Sequence, residues 1–178
     1  DLLEIDLANP DDETGYESLR RDVEFHQRER GRFVYVQTPG VFEAHNAYFG
    51  IENHLMYLLL FPDELREVYA RQAEWTKRFA ANCLDLGIDM IHVSDDWGSQ
   101  RGLLFSPEVF ESLIAPYHEP LARMVHERGA YLSLHSDGNV APALDAIKRL
   151  GFRVVHPWQE SAGMGYDLYD REGRGRFV

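Results

Sequence analysis

HVSDDWGSQRGLLFSP (residues 92–107) and LSLHSDGNV (residues 132–140) decide how this chain folds. Each begins as an apolar, strand-like run and breaks into polar residues and glycine where a strand should end. Delivered at those breaks are Asp95–Asp96 and His135–Asp137, residue types that bind metals and move protons. Working outward, residues 32–38 (RFVYVQT) read as an earlier strand closed by Pro39–Gly40, since β-branched and aromatic residues alternate there. Residues 90–94, 130–134 and 153–156 read as the strands that follow.

Helical patterns separate these strands. Residues 16–30 form a charged helix ended by Gly31, and residues 51–61 a short apolar helix broken at Pro62. Residues 63–86 place Leu65, Val68, Gln72, Trp75, Phe79, Cys83 and Leu86 near a period of 3.6, with Gly87 as a stop. Ser106–Pro107 reads as an N-cap followed by proline at the first helical position. That helix runs to about Arg128, bent at Pro116 or Pro120. Residues 141–150 form the last helix, and residues 1–15 read as irregular. Strands alternating with helical crossovers imply parallel strands with helices packed outside. Short apolar runs suit strands buried on both faces. A barrel and an open doubly wound sheet both fit, but no glycine-rich phosphate loop follows any strand, which weighs against the open sheet.

The chain has 178 residues, 44% hydrophobic and 27% charged, with a formal net charge of −12. This acidity disfavours nucleic acid and anionic membranes as partners. No run approaches the roughly 20 apolar residues of a membrane span. The single cysteine, Cys83, excludes an internal disulfide and reads as inert packing on a helix stripe. The expectation is a cytoplasmic protein with one domain over residues 1–178, residues 1–31 being peripheral to it. The missing initiator Met, and an ending that reads as the start of another strand, suggest a segment of a longer chain. Four strands of a barrel would expose two edges and an apolar interior, so the segment alone is expected to aggregate or need a partner.

At the strand ends the candidate residues are Glu43, His45 and Asn46; Asp95, Asp96, Ser99, Gln100 and Arg101; His135, Asp137 and Asn139; and His156, Gln159 and Glu160. His135 and Asp137 are two apart, so on extended backbone both point the same way, about 7 Å apart, and could reach one ion. His156 or Asp95 could supply a third ligand. The alternative is that His135 bonds a carbonyl while Asp137 caps the helix that follows. Asp95 and Asp96 are candidates for catalysis or for holding a substrate amine or hydroxyl. Adjacent strand residues face opposite ways, so one points into the site and the other caps a loop. Tyr48 and Trp97 are candidate substrate platforms, although aromatics are more often core. His92, mid-strand, reads as a satisfied buried histidine.

Through Thr38–Pro39–Gly40, Gly87–Ile88–Asp89, Ser94–Asp95–Asp96–Trp97–Gly98, Ser106–Pro107–Glu108–Phe110, Pro116 and His135–Ser136–Asp137–Gly138–Asn139, the chain resembles the uroporphyrinogen decarboxylase superfamily. The resemblance runs from Phe33 to Val178 and implies a (β/α)8 barrel of which this chain carries about strands 3–6. It is nearer the corrinoid- or folate-linked methyltransferases than the decarboxylase itself. The methyltransferases have a zinc site begun by His-x-Cys; His135 matches the histidine, and Asp137 stands where the cysteine would be.

The resemblance therefore implies Zn2+ or another divalent metal at His135 and Asp137. Its oxygen ligand would make the metal a stronger Lewis acid toward an ether or alcohol oxygen. A corrinoid or folate would be the methyl carrier, a corrinoid protein the partner, and a homodimer is among the expected assemblies. Asp95, Asp96 and Tyr48 would be catalytic, Tyr48 falling near the decarboxylases' tyrosine. Glu43, Asn46, Trp97, Gln100, Arg101 and His156 would contact substrate. The competing readings are a cofactor-free decarboxylase of porphyrin biosynthesis, disfavoured because only Arg101 offers a cation for a polycarboxylate, and a non-catalytic ligand-binding barrel.

Overall fold

The computed structural model describes residues 2–178 and places four parallel strands in the order β1-β2-β3-β4. They are β1 Tyr35–Pro39, β2 Met90–Ser94, β3 Tyr131–His135 and β4 Val154–His156. Gln37, His92, Ser133 and Val154 lie side by side across the sheet. Two residues further along, Pro39, Ser94, His135 and His156 form the next row.

Helix α1 (Glu17–Asp22) runs on into a π-helical turn, Val23–Glu29. After β1 come α2 (Glu43–Phe49), α3 (Ile51–Leu60) and α4 (Pro62–Asp85). After β2 come α5 (Pro107–Val109), a π-helical turn (Phe110–Ile114) and α6 (Ala115–Glu127). A 3-10 turn (Ala141–Ala143) leads into α7 (Leu144–Arg149) between β3 and β4, and α8 is Tyr166–Leu168. Ser106 caps α5, its hydroxyl accepting from Val109 N at 3.3 Å. The π-helical turn before α6 has a backbone cause. Pro116 has no N–H to give to the carbonyl of Ser112, and that carbonyl accepts Arg66 Nη1 at 2.8 Å instead.

Alternation along the strands sorts the sheet into two unlike faces. Ile91, Val93, Leu132 and Leu134 are fully buried beneath the helices. On the other face stand Tyr35, Gln37, His92, Ser94, Tyr131, His135 and His156, all exposed or half-buried, together with buried Ser133. The expectation of strands buried on both faces, and of an exposed apolar interior, is therefore corrected. The inward face is mainly polar and aromatic, from Tyr35 and Tyr131 at the strand starts to His135 and His156 at the strand ends.

The first residues lie along α4. Arg71 donates to the carbonyls of Leu2, Leu3 and Ile5, and Trp75 Nε1 donates to Ala8 O at 2.7 Å. Cys83 is fully buried on the inner stripe of α4, and burial pushes its thiol up to about 12, in keeping with inert packing. No helix among the described residues is long and apolar enough to cross a membrane.

Within the α2–α4 corner, His54 is fully buried against Phe42, ring centroids 4.6 Å apart. Its Nδ1 lies 2.7 Å from Asn46 Oδ1 and its Nε2 lies 2.6 Å from the Tyr69 hydroxyl. A neutral ring satisfies both, with Nδ1–H donating and Nε2 accepting. Burial, then the charge of His45, pushes the His54 pKa down to about 4, against a smaller opposing effect of Asp95. Because the folded value lies below the unfolded one, this stability is complete above about pH 6.5. It is lost as pH falls toward about 4, by about 3 kcal/mol. Urea midpoints between pH 7 and 4 should show that slope, and His54→Gln should flatten it. An unchanged slope in the variant would place the acid sensitivity elsewhere.

Candidate functional site

The two aspartates after β2 divide their work. Asp95 is fully buried. Its carboxylate accepts from the backbone N–H groups of Val41 (3.3 Å), Phe42 (2.9 Å) and Glu43 (2.7 Å). Trp97 Nε1 and His118 Nε2 also donate to it, each at 2.9 Å. Burial alone would raise its pKa, but the His118 hydrogen bond and charge and the N–H groups of Glu43 and Trp97 hold it below the ordinary carboxylate range. Helix α2 has no capping side chain of its own, so Asp95 supplies the cap from the neighbouring strand.

Asp95 is thus enclosed by protein and engaged as scaffold, with five donors on its carboxylate. Trp97 takes the second of its two expected readings, as core. It is fully buried, ringed by Phe110, His118 and Phe152, and meets no solvent.

Asp96 points the other way. Its side chain is 31% exposed and lies 3.7 Å from His135 Nε2, and its Oδ1 accepts the backbone N–H of Asp137 at 2.7 Å. Ligand-capable atoms of Asp96, His135 and Asp137 all fall within 4.8 Å of one another. A second group, His92, His135 and His156, meets the same limit. His135 and His156 approach Nδ1 to Nδ1 at 3.0 Å, while His92 Nδ1 is 2.8 Å from Ser133 Oγ. Burial, then the charges of His135 and His156, lowers the His92 pKa. His92 is therefore no isolated core histidine. Period-two alternation could have signalled it, since His92 shares the face of Ser94.

Glu43 joins the rim of this site. Its Oε2 accepts from Ser94 Oγ at 2.9 Å, and it lines a cleft with Gln37, Ala47 and Ser94. Burial raises the Glu43 pKa, opposed by the Ser94 hydrogen bond and reinforced by Asp96 and Asp95. The segment after the first strand, to which the sequence pattern assigned no element, is helix α2. That helix carries Tyr48 away from the cluster, exposed in a groove with Leu2, Ile5, Leu7, Val68 and Arg71. Asn46 is engaged with His54, and Gln100 and Arg101 are exposed on the loop after β2.

The loops after β2 and β3 are locked by a backbone contact. Asn139 N donates to Ser99 O at 2.7 Å, and Gly98 and Gly138 press together so closely that neither has room for a Cβ. Gly138 N also donates to Gln159 Oε1 at 2.6 Å, tying in the loop after β4. The helix after β3 is served by Asn139, whose Oδ1 accepts Ala141 N at 3.0 Å. Asp137 is exposed and free of that capping duty.

Comparison with known proteins agrees with this architecture. No curated protein matches the chain in sequence. Among solved structures, a methyltransferase from Methanosarcina mazei superposes with a TM-score of 0.63 at 19% identity, over 77% of this chain and 40% of that one. At that identity the likeness concerns the fold, and the chain spans 40% of the length of that structure. Its four parallel strands are those of a partial (β/α)8 barrel. The sequence profile for uroporphyrinogen decarboxylase (URO-D) matches residues 46–160. With a match over more than half its length and the strand-end polar cluster that such a barrel builds, the chain belongs to the uroporphyrinogen decarboxylase (URO-D) family.

Proposed function

We propose that the chain belongs to a methyltransferase-like enzyme in which a divalent metal at His135 activates a small methyl donor or acceptor. The observation that carries this reading is the convergence on His135 of two groups of ligand-capable side chains, Asp96 with Asp137 and His92 with His156, on and just beyond β2, β3 and β4. That donor set suits a divalent ion, since neutral imidazole and carboxylate are ordinary ligands for one. When bound, the ion would supply Lewis-acid polarisation of a substrate oxygen or sulfur.

The chain's own residues do the positioning. Glu43 and Ser94 line the adjacent cleft, where a substrate amine or hydroxyl would find an acceptor. His156 closes the other side of the cluster, and Asp96 fixes the loop after β3 through the Asp137 N–H. The similar Methanosarcina structure is a methyltransferase, which supports the same reaction class. A corrinoid protein or a folate is the methyl carrier of this reading. In this part of the barrel the inward face carries histidines, serines and tyrosines, and the segment after β2 offers Arg101, which is exposed. A substrate rich in carboxylates needs clustered cations, which disfavours the decarboxylase reaction.

The test is transfer of isotope-labelled methyl from methyl-tetrahydrofolate or methylcobalamin by the intact protein, with metal content measured alongside. Label should leave the donor, and His135→Ala should slow transfer on the order of a hundredfold or more, as loss of a metal ligand does. Carbon dioxide release from uroporphyrinogen without methyl transfer would replace this reading with the decarboxylase. Turnover of neither by folded protein would leave a ligand-binding barrel.

A further inference from the structure

His135 has two ring nitrogens, and they face different neighbours. Nε2 looks toward Asp96 at 3.7 Å, whereas Nδ1 looks toward His156 Nδ1 at 3.0 Å. Two ligand sets therefore compete for the role of holding an ion. One is oxygen-rich (Asp96, Asp137) and sits on loops. The other is imidazole-only (His92, His156) and sits on strands.

Resting on the proposal that His135 binds a divalent ion, we infer that the ion is held by the three imidazoles of His92, His135 and His156. Asp96 serves as the outer carboxylate, and the site takes Zn2+ or Co2+ in preference to Mg2+. Two ligands bonded to one metal at about 2.0–2.1 Å with angles between about 90° and 110° lie about 2.8–3.4 Å apart. His135 and His156 already stand at that spacing, at 3.0 Å. The third ring closes the set. His92 lies with ring centroids 6.0 Å from His135 and 5.8 Å from His156, tilted at 64° and 65° to them. Its Nδ1 is held by Ser133 Oγ at 2.8 Å, which leaves Nε2 as the ligand atom.

The surroundings supply what metal-binding histidines ordinarily have. A ligating imidazole usually gives its other nitrogen to a carboxylate or hydroxyl, which fixes tautomer and ring orientation. His92 has Ser133 in that position, and the Asp96 carboxylate stands 3.7 Å from His135 Nε2, close enough to attract its N–H but beyond hydrogen-bond length. Asp96 is itself restrained by the Asp137 N–H at 2.7 Å. The three histidines stand on three adjacent strands of one sheet, in rows set by strand register. Groups on strands are held more firmly than groups on loops. The Asp137 side chain, exposed on a loop, would lose more freedom on binding. Three nitrogens without a directly bound carboxylate favour Zn2+, Co2+ or Ni2+ over the oxygen-seeking Mg2+. His156 is exposed while His92 and His135 are half-buried, so the remaining coordination positions open onto the inward face, where substrate would arrive.

The test uses the intact protein, stripped of metal, titrated calorimetrically with Zn2+ alone and spectroscopically with Co2+ alone. One Zn2+ per chain should bind, and Co2+ should show the visible ligand-field bands of a nitrogen-ligated site. His92→Gln and His156→Gln, checked for native far-ultraviolet dichroism, should each weaken Zn2+ by at least about tenfold. Asp137→Asn should change it by less than about threefold, and excess Mg2+ should not displace Co2+. Undiminished binding in both histidine variants with loss of the ion in Asp137→Asn would overturn the three-imidazole site, while leaving a metal at His135 intact. Failure of the wild-type protein to bind Zn2+ or Co2+ would overturn both.

Discussion

Asp95→Ala should cost about 3–5 kcal/mol of stability, the range for breaking a buried charged pair by removing one partner. The carboxylate is enclosed completely. Its removal strands the N–H groups of Val41, Phe42 and Glu43, the Trp97 indole and His118, none of which can turn to water. The loss should also loosen the start of α2 and with it Glu43, so a binding defect should accompany the stability defect. Asp96→Ala is the contrasting variant. Its carboxylate is partly solvated and accepts one backbone N–H, so about 1 kcal/mol is expected, with the functional loss far larger than the stability loss. Urea denaturation of both variants at pH 7 checks this pair. Equal losses would mean that the two aspartates are not divided between scaffold and site.

Gly138→Ala should be destabilising by about 2–5 kcal/mol, combining strain at positive φ with overpacking. Gly138 sits at φ +83°, and a Cβ there would lie 2.5 Å from Gly98 C and 2.7 Å from both Ser99 N and Ser99 O. Those atoms are backbone, so relief requires the loops after β2 and β3 to part. Asp96 and Asp137 ride on those loops, joined by one hydrogen bond. A separation of an ångström at such a site costs on the order of a hundredfold in rate. The variant should therefore lose methyl transfer even where it remains folded. Gly165→Ala is the control: nothing lies within 4 Å of its added Cβ and its φ is −79°, so a change within about 0.5 kcal/mol is expected. Melting temperature and turnover, measured on both, separate a general glycine effect from this close approach.

Much of the fold was legible because its signals are local. The strand at residues 90–94 matches β2, and the helix read over residues 63–86 is α4, Pro62–Asp85. Proline and glycine punctuated these elements as backbone sterics require: Pro62 opens α4, and Gly87, at φ +99°, follows its end. Helix α2 escaped notice because its start lacks a capping side chain in the sequence; the cap is Asp95, which arrives from another strand. The polar character of the inward face was missed because apolar content was read along each strand without separating its two faces.

The sequence by itself determined the alternation of strands and helices, and with it the delivery of Asp95, Asp96, His135, Asp137 and His156 to the ends of successive strands. Those features follow from periodicity and from the conformational limits of single residues, which neighbours along the chain suffice to set. Only the tertiary structure decided that Asp95 is enclosed scaffold while Asp96 faces the site, and that His92 joins His135 and His156. Both outcomes depend on the register between strands, where a slip of one residue sends every side chain to the opposite face.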